Sequence, residues 1–400
     1  MYVHHSPHFN PAWLGSRDVG IPEWLADGRW IPSGDFGLYT HARTGLAAAL
    51  SRHGVDGGTA LVPAYTPPSV VGVLDREFDL QVEYFPVRED LTVPTGDVVD
   101  LIRDREPDVV QLIHYLGFET NGLDELAAEA EAVDAVFVED CARGLFSRRE
   151  DGTPLGSVGD VAMFSLRKTL PVPNGGLVVA PGTRLPSPDD EAREGRALAR
   201  SFAVAAHERL SSAIPSIPRL RFVEESMRRS TALRRLTDGP LLSAGAGVFA
   251  GDGAPGTAHD HRVPPRRPGW VSRIGLVRSR PAEIAAARRE RYRNLRARLD
   301  ALSGLAVVTP PVADGGCPYG VGVRPVDGVS APALWAALRD RGLPAEMLGW
   351  ALGADVPQPA DPGATALRQS LVVLPTHQQL PFPALPRMVE AVQETLRGRG

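Results

Sequence analysis

The sequence predicts an α/β protein with a largely parallel sheet, and three observations lead to that class. Between residues 44 and 180, short apolar runs alternate with segments of helical periodicity, as in repeated strand–helix units. The runs VVQLI at 109–113 and AVFV at 135–138 are almost continuously apolar, which is typical of strands covered on both faces. A chain of 400 residues also exceeds what one hydrophobic core usually serves, so a second, smaller domain is expected.

The predicted elements of the larger domain follow one another at short intervals. The run TGLAAALSRH at 44–53 consists largely of strong helix formers, and Pro and Gly residues after position 168 indicate a tight loop between two strands. The predicted helices cover residues 44–53, 67–76, 98–105 and 123–133. The predicted strands cover residues 59–64, 80–85, 109–114, 135–139, 161–165 and 177–180.

A long predicted helix over residues 281–302 lies in the smaller domain. Ile284, Tyr292 and Leu299 mark its apolar side. Its many arginines are interleaved with acidic residues, so we expect a solvated face with ion pairs rather than a nucleic-acid patch. A strand at 320–324 and helices at 331–341 and 386–397 follow.

These elements divide the chain into three predicted parts. Residues 1–40 carry aromatic anchors among Pro and Gly, and we expect an N-terminal arm that packs on another surface. Residues 41–275 form the large domain, in which the segment 181–270 is irregular and rich in loops. Residues 276–400 form the small C-terminal domain.

Composition and charge argue against several classes of function. The net charge of −5 speaks against nucleic acid as the main partner, and no apolar segment is long enough to cross a bilayer. The N-terminus lacks the regions of a secretory signal, and two cysteines are too few for a disulfide framework. No ligand set completes the N-terminal histidines, and His259, Asp260 and His261 lie among Gly and Pro residues that favour an exposed loop, so no metal is predicted. We expect a cytoplasmic protein that acts on small molecules, without nucleic-acid or membrane partners.

Lys168 is the only lysine in the sequence, because Lys and Arg together number 43 and the other 42 are Arg. Arg keeps its charge near neutral pH, whereas the amine of a lysine can lose its proton and attack a carbonyl. Lys168 follows the apolar run at 161–164 and precedes Pro171 and Pro173, which places it at the mouth of a predicted buried strand. A catalytic amine is therefore favoured over a surface lysine.

An acid, this amine and a phosphate site are predicted to meet at one edge of the sheet. Asp140 ends the run AVFVED and Ser165 ends the run VAMFS, and ligands of parallel sheets bind beyond such carboxyl ends. Thr44 and Gly45 open a predicted helix, whose N–H groups and dipole favour a phosphate. Pyridoxal 5′-phosphate (PLP) requires these three groups: a lysine, an acid at its pyridine nitrogen and a phosphate cradle.

The run VEDCARGLFSRREDGTPLGSVGDVAMFSLRKTLPVPNGGLVV resembles the DegT/StrS-type sugar aminotransferases. The similarity extends to ARTGLAAAL, VPAYTPPSVV and IHYLGF, and further along the chain to RRERYRNLRARL and SLVVLPTHQQLP. It covers most of residues 40–180 and 270–395. The resemblance implies the aspartate-aminotransferase fold (fold type I), with a mostly parallel seven-stranded sheet, a smaller α/β domain, bound PLP and a homodimer.

The resemblance also implies a role for each matching residue. Lys168 would carry PLP as a Schiff base and move the proton, and Asp140 would pair with the pyridine nitrogen. Tyr65 stands where the family places the aromatic residue next to the ring. The residues that would hold the phosphate are Thr44, Gly45, Leu46 and Ser165. The candidate substrate residues are His114, Arg273 and Arg368.

The sequence departs from the family pattern at three places. The strand serine and the lysine are usually five residues apart, whereas Ser165 and Lys168 are three apart. The family's G-Y-N-x-R segment is absent as such, and Ser272 with Arg273 is a possible replacement. Arg143 stands where the family has Gln or His. It would either lie near the phenolate oxygen of the cofactor or grip a substrate carboxylate.

The sequence therefore predicts a PLP-dependent aminotransferase. The amino group would pass from glutamate or glutamine to a keto group of a sugar or similar metabolite, in sugar or specialised-metabolite biosynthesis. Two alternatives stay open: a PLP enzyme of another reaction type, such as elimination, replacement or dehydration, and a homologue that binds PLP without turnover. The departures weaken the assignment of a nucleotide sugar as substrate.

Overall fold

The computed structural model describes residues 6–15, 20–195, 265–326, 328–350, 352 and 358–398, and these form two sheets with helices packed on them. Most of the segment 181–270, which we expected to be irregular, lies outside the described residues. The same is true of His259 and His261.

The larger sheet has seven strands in the described part of the chain, in the order β1-β7-β6-β5-β4-β2-β3. Strands β2 to β6 run parallel to one another, while β7 is antiparallel to both β6 and β1. The predicted fold class, a mostly parallel seven-stranded sheet, is confirmed. The strands are β1 (Phe36–Tyr39), β2 (Thr59–Pro63), β3 (Gln81–Phe85), β4 (Val109–Ile113), β5 (Val136–Asp140), β6 (Val161–Ser165) and β7 (Gly176–Val179).

Helices pack on both faces of this sheet. On one face, α2 and α3 bury alternate strand residues such as Ala60 and Val62, and on the other face Leu61 packs among residues of α4 and α5. Because helices cover both faces of the sheet, the sequences of its strands are continuous apolar runs. The helices are α1 (Glu23–Ala26), α2 (Ala42–Arg52), α3 (Pro68–Glu77), α4 (Thr95–Arg105), α5 (Leu123–Ala132), α6 (Leu166–Thr169) and α7 (Trp270–Val277).

The smaller sheet is antiparallel and has the order β10-β11-β9-β8. Its strands are β8 (Leu305–Val307), β9 (Gly320–Pro325), β10 (Glu346–Met347) and β11 (Val372–Pro375). Its helices are α8 (Pro281–Asp300), α9 (Ala331–Asp340), α10 (Pro362–Ser370) and α11 (Ala384–Arg397). The sequence predicted α8, β9, α9 and α11. It missed β8 and β10, because two or three residues are too few to produce a periodic signal, and it gave no bounds for α10 or β11.

The N-terminal arm is part of the large domain's structure. Its last residues form β1, which pairs with β7. The indole of Trp24 is buried, packs edge-on against Phe146 at 5.2 Å between ring centroids and donates a hydrogen bond to the carbonyl of Leu276 at 3.2 Å. The arm therefore covers much of its apolar surface with its own chain. The division at residues 40 and 275 stays a prediction.

No helix in the described part of the chain is both long and apolar enough to cross a membrane.

The strands that carry the predicted site residues, β4, β5 and β6, have their carboxyl ends at the same end of the large sheet, which we call the carboxyl edge. Asp140 is the register partner of Met163 in β6, and Ile113 of β4 is the register partner of Asp140. Because β7 is antiparallel, it begins at this same edge, with Gly176 opposite Ser165. The predicted acid, amine and phosphate elements are thus brought together by the strand order.

Candidate active site

Asp140 is a buried carboxylate at the end of β5. Its Oδ1 accepts the N–H of Ala142 at 2.9 Å, and its Oδ2 accepts a longer bond of 3.4 Å from Nε2 of Gln111. Burial raises the pKa of Asp140, because two neutral donors do not replace its hydration. The positive charge of Lys168 is the largest influence that opposes this rise. The acid and the unique lysine therefore lie within electrostatic reach of each other.

Glu139 is adjacent to Asp140 but lies in a different environment. Its carboxylate accepts three backbone N–H groups, from Gly156 at 3.2 Å, Val158 at 2.8 Å and Gly159 at 2.6 Å. Nε2 of His114 lies 2.8 Å from Glu139 Oε2. Burial tends to raise the pKa of Glu139, but these partners, His114 first, outweigh it and hold the pKa below its usual value.

His114 is fully engaged by the protein. Its Nδ1 accepts the N–H of Thr120 at 3.1 Å, so Nε2 carries the hydrogen that is donated to Glu139. Both side chains of the His114–Glu139 pair are completely buried. This geometry favours a structural role for His114 over the substrate contact that the resemblance implied.

Lys168 lies in the short helix α6, directly after β6. Its carbonyl and that of Thr169 accept hydrogen bonds of 3.1 and 3.2 Å from Nη2 of Arg288, which belongs to α8. Nε of Arg288 donates to Gln378 at 3.2 Å, and Nη1 donates to the carbonyl of Pro318 at 3.3 Å. The backbone of Lys168 is therefore fixed by a buried guanidinium of α8.

A cradle suited to a phosphate lies beside this turn. Tyr39 and Ser165 are both register partners of Gly176, and α2 begins three residues after Tyr39. A Cβ on Gly176 would lie 2.1 Å from the backbone nitrogen of Ala42, so only glycine permits this approach of strand and helix. Helix α2 has no side-chain cap and no acidic residue in its first turn, and its dipole therefore favours an anion next to Ser165.

The start of α2 changes which residues can contact that anion. The helix begins at Ala42, two residues earlier than predicted, because the chain turns into it soon after β1. Gly45 donates its N–H to the carbonyl of His41 at 3.4 Å within the helix, and Leu46 is buried in the core. Thr44 lies in the first turn and donates its N–H to the same carbonyl at 3.2 Å, so its hydroxyl is the group it could offer to the anion. The geometry favours Ala42, Arg43 and Thr44 over Gly45 and Leu46.

Tyr65 is held within a cluster of aromatic rings. Its ring lies 4.6 Å from that of Trp350 and 5.7 Å from that of Tyr115, between centroids. Its hydroxyl donates to the carbonyl of Leu348 at 2.5 Å, and burial raises the pKa of this phenol. The hydroxyl of Tyr115 in turn donates to the carbonyl of Tyr65 at 2.6 Å. Tyr65 is thereby fixed at the edge of the sheet, at the junction with the small domain.

Arg143 lies three residues after Asp140 and reaches toward the small domain. Its Nη2 donates to Oε1 of Glu346 at 3.3 Å. Its guanidinium carbon lies 4.9 Å from the ring centroid of Tyr319 and 5.2 Å from that of Trp350. Of the two roles considered from the sequence, this placement favours the one in which Arg143 faces a carboxylate.

The other two substrate candidates are engaged elsewhere. Arg368 donates through Nε to the carbonyl of Trp350 at 3.3 Å and through Nη2 to the carbonyl of Ala64. Arg273 pairs with Glu191 at 3.4 Å. Arg368 therefore connects the aromatic cluster to the sheet.

Buried polar atoms at this edge fit the cofactor that the motifs predict. Gln111 Oε1 and Thr66 Oγ1 are buried, and neither has a hydrogen-bond partner within the described part of the chain. Asp140 keeps a raised pKa, so a pyridinium N–H would supply the charge-assisted bond that it lacks. The residues that would hold PLP are thus Lys168 and Asp140 at the ring, with Ser165 and the start of α2 at the phosphate.

Sequence reasoning missed Arg288 and Glu346. The prediction that the arginines of α8 form a solvated face is correct for Arg293, which pairs with Asp314, but wrong for Arg288, which is 1% exposed. A signal was present, because position 288 falls four residues after Ile284, on the apolar side of the helix. Glu346 carried no signal, since its contact with Arg143 arises only when the two domains pack.

The fold is that of the PLP enzymes of fold type I. Residues 40–195, which contain the sheet edge, match the DegT/DnrJ/EryC1/StrS aminotransferase family. This match confirms the resemblance drawn from the motifs. The part of the chain that holds the site is therefore similar to this family, and the protein is a PLP-dependent aminotransferase.

Solved structures similar to this chain include several aminotransferases. TlmJ from Streptoalloteichus hindustanus superposes with a TM-score of 0.68 at 18% identity, covering 99% of each chain. DesI, solved in the presence of its TDP-sugar product, gives 0.64 at 17% identity and covers 100% of this chain and 94% of its own. The sugar aminotransferase CalS13 from Micromonospora echinospora gives 0.59 at 18% identity, with 90% and 87% covered. These likenesses establish the fold. No curated protein matches the sequence.

Proposed function

We propose that this aminotransferase moves an amino group from glutamate or glutamine to a keto group of a sugar or similar polar metabolite, in sugar or specialised-metabolite biosynthesis. The observation that carries the proposal is the meeting of Asp140 and the only lysine, Lys168, at the carboxyl edge of the sheet. DesI, which was solved with a TDP-sugar product, and CalS13, a sugar aminotransferase, have the same fold and support this substrate class.

The proposed roles follow from the chemistry of the residues. PLP, when bound, supplies an electron-withdrawing ring that stabilises negative charge at a substrate carbon. Asp140 keeps the pyridine nitrogen protonated through a charge-assisted hydrogen bond. The amine of Lys168 binds the cofactor and then moves a proton as general base and acid. Ser165 and the N–H groups of Ala42 and Arg43 bind the phosphate.

A single-turnover experiment tests the reaction. The holoenzyme is mixed with glutamate in the absence of any acceptor, and both 2-oxoglutarate and the visible absorption of the cofactor are measured. One equivalent of 2-oxoglutarate per site, with loss of the original absorption band, supports transamination. If no common donor changes the cofactor, while some other substrate loses a leaving group, a PLP enzyme of another reaction type replaces this proposal.

Peptide mapping after borohydride reduction tests the lysine independently. A phosphopyridoxyl group is expected on Lys168, and Lys168→Arg is expected to lose both the cofactor absorption and the donor reaction. A yellow Lys168→Arg variant with an unchanged band would refute the assignment. A wild-type protein that binds PLP on Lys168 but converts no substrate would instead indicate a non-catalytic homologue.

We further propose a cytoplasmic homodimer. The two cysteines, Cys141 and Cys317, are free and buried, which suits a reducing compartment. The resemblance implies sites built from two subunits, and Trp270 stays 44% exposed in one chain. Light scattering is expected to give twice the mass of one chain, and a fully active monomer at high dilution would contradict the assembly.

A further inference from the structure

Arg288 of α8 is a buried cation whose hydrogen-bond partners are all uncharged. The residue is 1% exposed. Its acceptors in the described part of the chain are the carbonyls of Lys168, Thr169 and Pro318 and the side-chain oxygen of Gln378. A guanidinium keeps its proton even when it is buried, and a buried charge normally has a partner of opposite charge. The hydrogen bonds of Arg288 are therefore satisfied, while its charge is not neutralised by a bonded acid.

The titratable groups that influence Arg288 include no acid among the described residues. Burial lowers the pKa of Arg288, and the groups that oppose this effect are the thiol of Cys317 and the phenol of Tyr319. Burial raises the pKa of Cys317 to about 11 and raises the pKa of Tyr319 well above its usual value, so both groups are uncharged near neutral pH. Arg291, three residues along α8, contributes a second positive charge. The surroundings of Arg288 therefore leave its charge uncompensated.

This charge lies next to the turn that carries the only lysine of the chain. Nη2 of Arg288 lies 3.1 Å from the carbonyl oxygen of Lys168 and 3.2 Å from that of Thr169. Nε2 of Gln378 donates a further hydrogen bond of 3.0 Å to the carbonyl of Thr169. A lysine side chain reaches about 6 Å from its Cα, so the amine lies within about 12 Å of the guanidinium in every rotamer. Charges at this separation are only weakly screened when they are buried or partly buried.

We propose that Arg288 is a positioning residue for Lys168: it fixes the turn through hydrogen bonds, and its positive charge favours the unprotonated form of the lysine nitrogen, which is the form that attacks a carbonyl. This inference rests on the proposed aminotransferase function, in which that nitrogen moves protons. A neighbouring cation opposes a second positive charge. Asp140 acts in the opposite direction, because a carboxylate favours the charged form of the amine. The other titratable groups around Asp140 are His114, Tyr115, Cys141 and Arg143.

Four variants separate the charge at this position from the hydrogen bonds that hold the turn. Arg288→Met removes the charge. Gln378→Glu keeps Arg288 and places a carboxylate at the oxygen that accepts its Nε–H at 3.2 Å, so it supplies a counter-ion. Gln378→Met keeps the charge but removes both hydrogen bonds of the amide. Arg289→Met is the matched control, because it removes the next arginine of α8, which donates to the carbonyl of Gly316 at 2.9 Å.

The visible absorption of the bound cofactor depends on whether the lysine nitrogen that carries it is protonated. The holoprotein of each variant is titrated between about pH 5 and pH 10, and the midpoint of the absorption change is determined. We expect this midpoint to rise by about half a pH unit in Arg288→Met and Gln378→Glu, because the nitrogen holds its proton more firmly once the positive charge is removed or neutralised. Gln378→Met and Arg289→Met should keep the wild-type midpoint. A purely structural role for Arg288 would change unfolding by urea but not this midpoint.

Four results would overturn the proposal: a wild-type absorption that does not titrate within this range, an unchanged midpoint in Arg288→Met or Gln378→Glu, the same rise in Gln378→Met as in Gln378→Glu, or the same rise in Arg289→Met as in Arg288→Met. The two Gln378 variants decide the question if Arg288→Met fails to fold. The titration requires PLP on Lys168, which peptide mapping verifies, but no turnover. Failure of the proposed function would appear in the single-turnover experiment, whereas failure of this inference would appear only in the midpoints.

Discussion

Glu139 and Asp140 are neighbours at the end of β5, yet the regions around their side chains differ in chemistry. Successive residues of a strand point to opposite faces of the sheet. Glu139 faces the loop at 156–159 and His114, while Asp140 faces Gln111 and the positive charge of Lys168. Both side chains are buried carboxylates, so the comparison shows the effect of their hydrogen-bond partners and neighbouring charges.

The difference lies in how completely each carboxylate is satisfied. Glu139 has four hydrogen-bond partners, and its pKa lies below the usual value despite burial. Asp140 has two donors, one of them at 3.4 Å, and burial keeps its pKa raised. A saturated carboxylate stabilises the fold, and an unsaturated one is available to a ligand. Satisfaction by partners, rather than burial alone, distinguishes the acid that we assign to the fold from the acid that we propose for the site.

The largest expected effect is the loss of activity in Asp140→Asn. Without the carboxylate, the pyridine nitrogen is no longer held protonated, and turnover should fall by about 10²–10³-fold. The apo-protein should be as stable as the wild type or more so, because an undercompensated buried charge is removed. Single-turnover rates and urea unfolding of the apo-proteins measure the two quantities. Near-normal turnover, or a large loss of stability in the apo-protein, would contradict the assignment of Asp140 to activity and Glu139 to stability.

Glu139→Gln should show the reverse pattern. The amide offers one acceptor oxygen where the carboxylate offered two, and its NH₂ group must face N–H donors of the loop. The free energy of unfolding should fall by about 3 kcal/mol, while the PLP affinity of the folded protein stays close to that of the wild type. Urea unfolding and a PLP titration at low denaturant measure these effects. A variant that unfolds normally but loses PLP would place Glu139 in the site instead.

Arg288→Lys extends the comparison to a buried cation. Like Glu139, Arg288 is satisfied by protein groups, namely Gln378 and the backbone around Lys168 and Pro318. The single ammonium group of a lysine cannot reach all the partners that the planar guanidinium binds. The free energy of unfolding should therefore fall by about 2 kcal/mol. Arg289→Lys is the matched control, because Arg289 makes a single bond of 2.9 Å to the carbonyl of Gly316. Equal losses in the two variants would argue against a special role for Arg288.

The smallest expected effect is a pH dependence of opposite sign for the two acids. The lowered pKa of Glu139 contributes stability that is present above its unfolded pKa, about 4.3, and is lost as the pH falls through the folded value. The raised pKa of Asp140 instead makes the apo-protein lose stability as the pH rises from about 3.9 through the folded value.

Urea unfolding of the apo-proteins between pH 4 and 7 measures this dependence. Relative to the wild type, Asp140→Asn should gain stability toward neutral pH. The deficit of Glu139→Gln should instead shrink toward acid pH. Two variants with parallel pH profiles would show that both carboxylates experience the same environment.

The sequence by itself determined the fold class and most element bounds of the large domain, and it predicted the centre of the site. Continuous apolar runs require strands that are covered on both faces, and their spacing leaves room for one helix between them. Lys168 was identifiable because it is unique, and Asp140 because it ends such a run. These signals are local: each is contained in a few consecutive residues, and the rule that parallel strands end at one edge then places them together.

Only the tertiary structure decided which polar residues serve the site and which serve the fold. His114 seemed available from its position after β4, yet its two ring nitrogens are bound by Thr120 and Glu139. The sequence predicted that Arg288 lies on a solvated face of α8. In the structure α8 packs against the turn of Lys168, and Arg288 donates a hydrogen bond to the carbonyl of Lys168. Glu346 reaches Arg143 across 203 positions of sequence. Hydrogen-bond satisfaction depends on groups that are distant in the chain, so it exists only once the chain has folded.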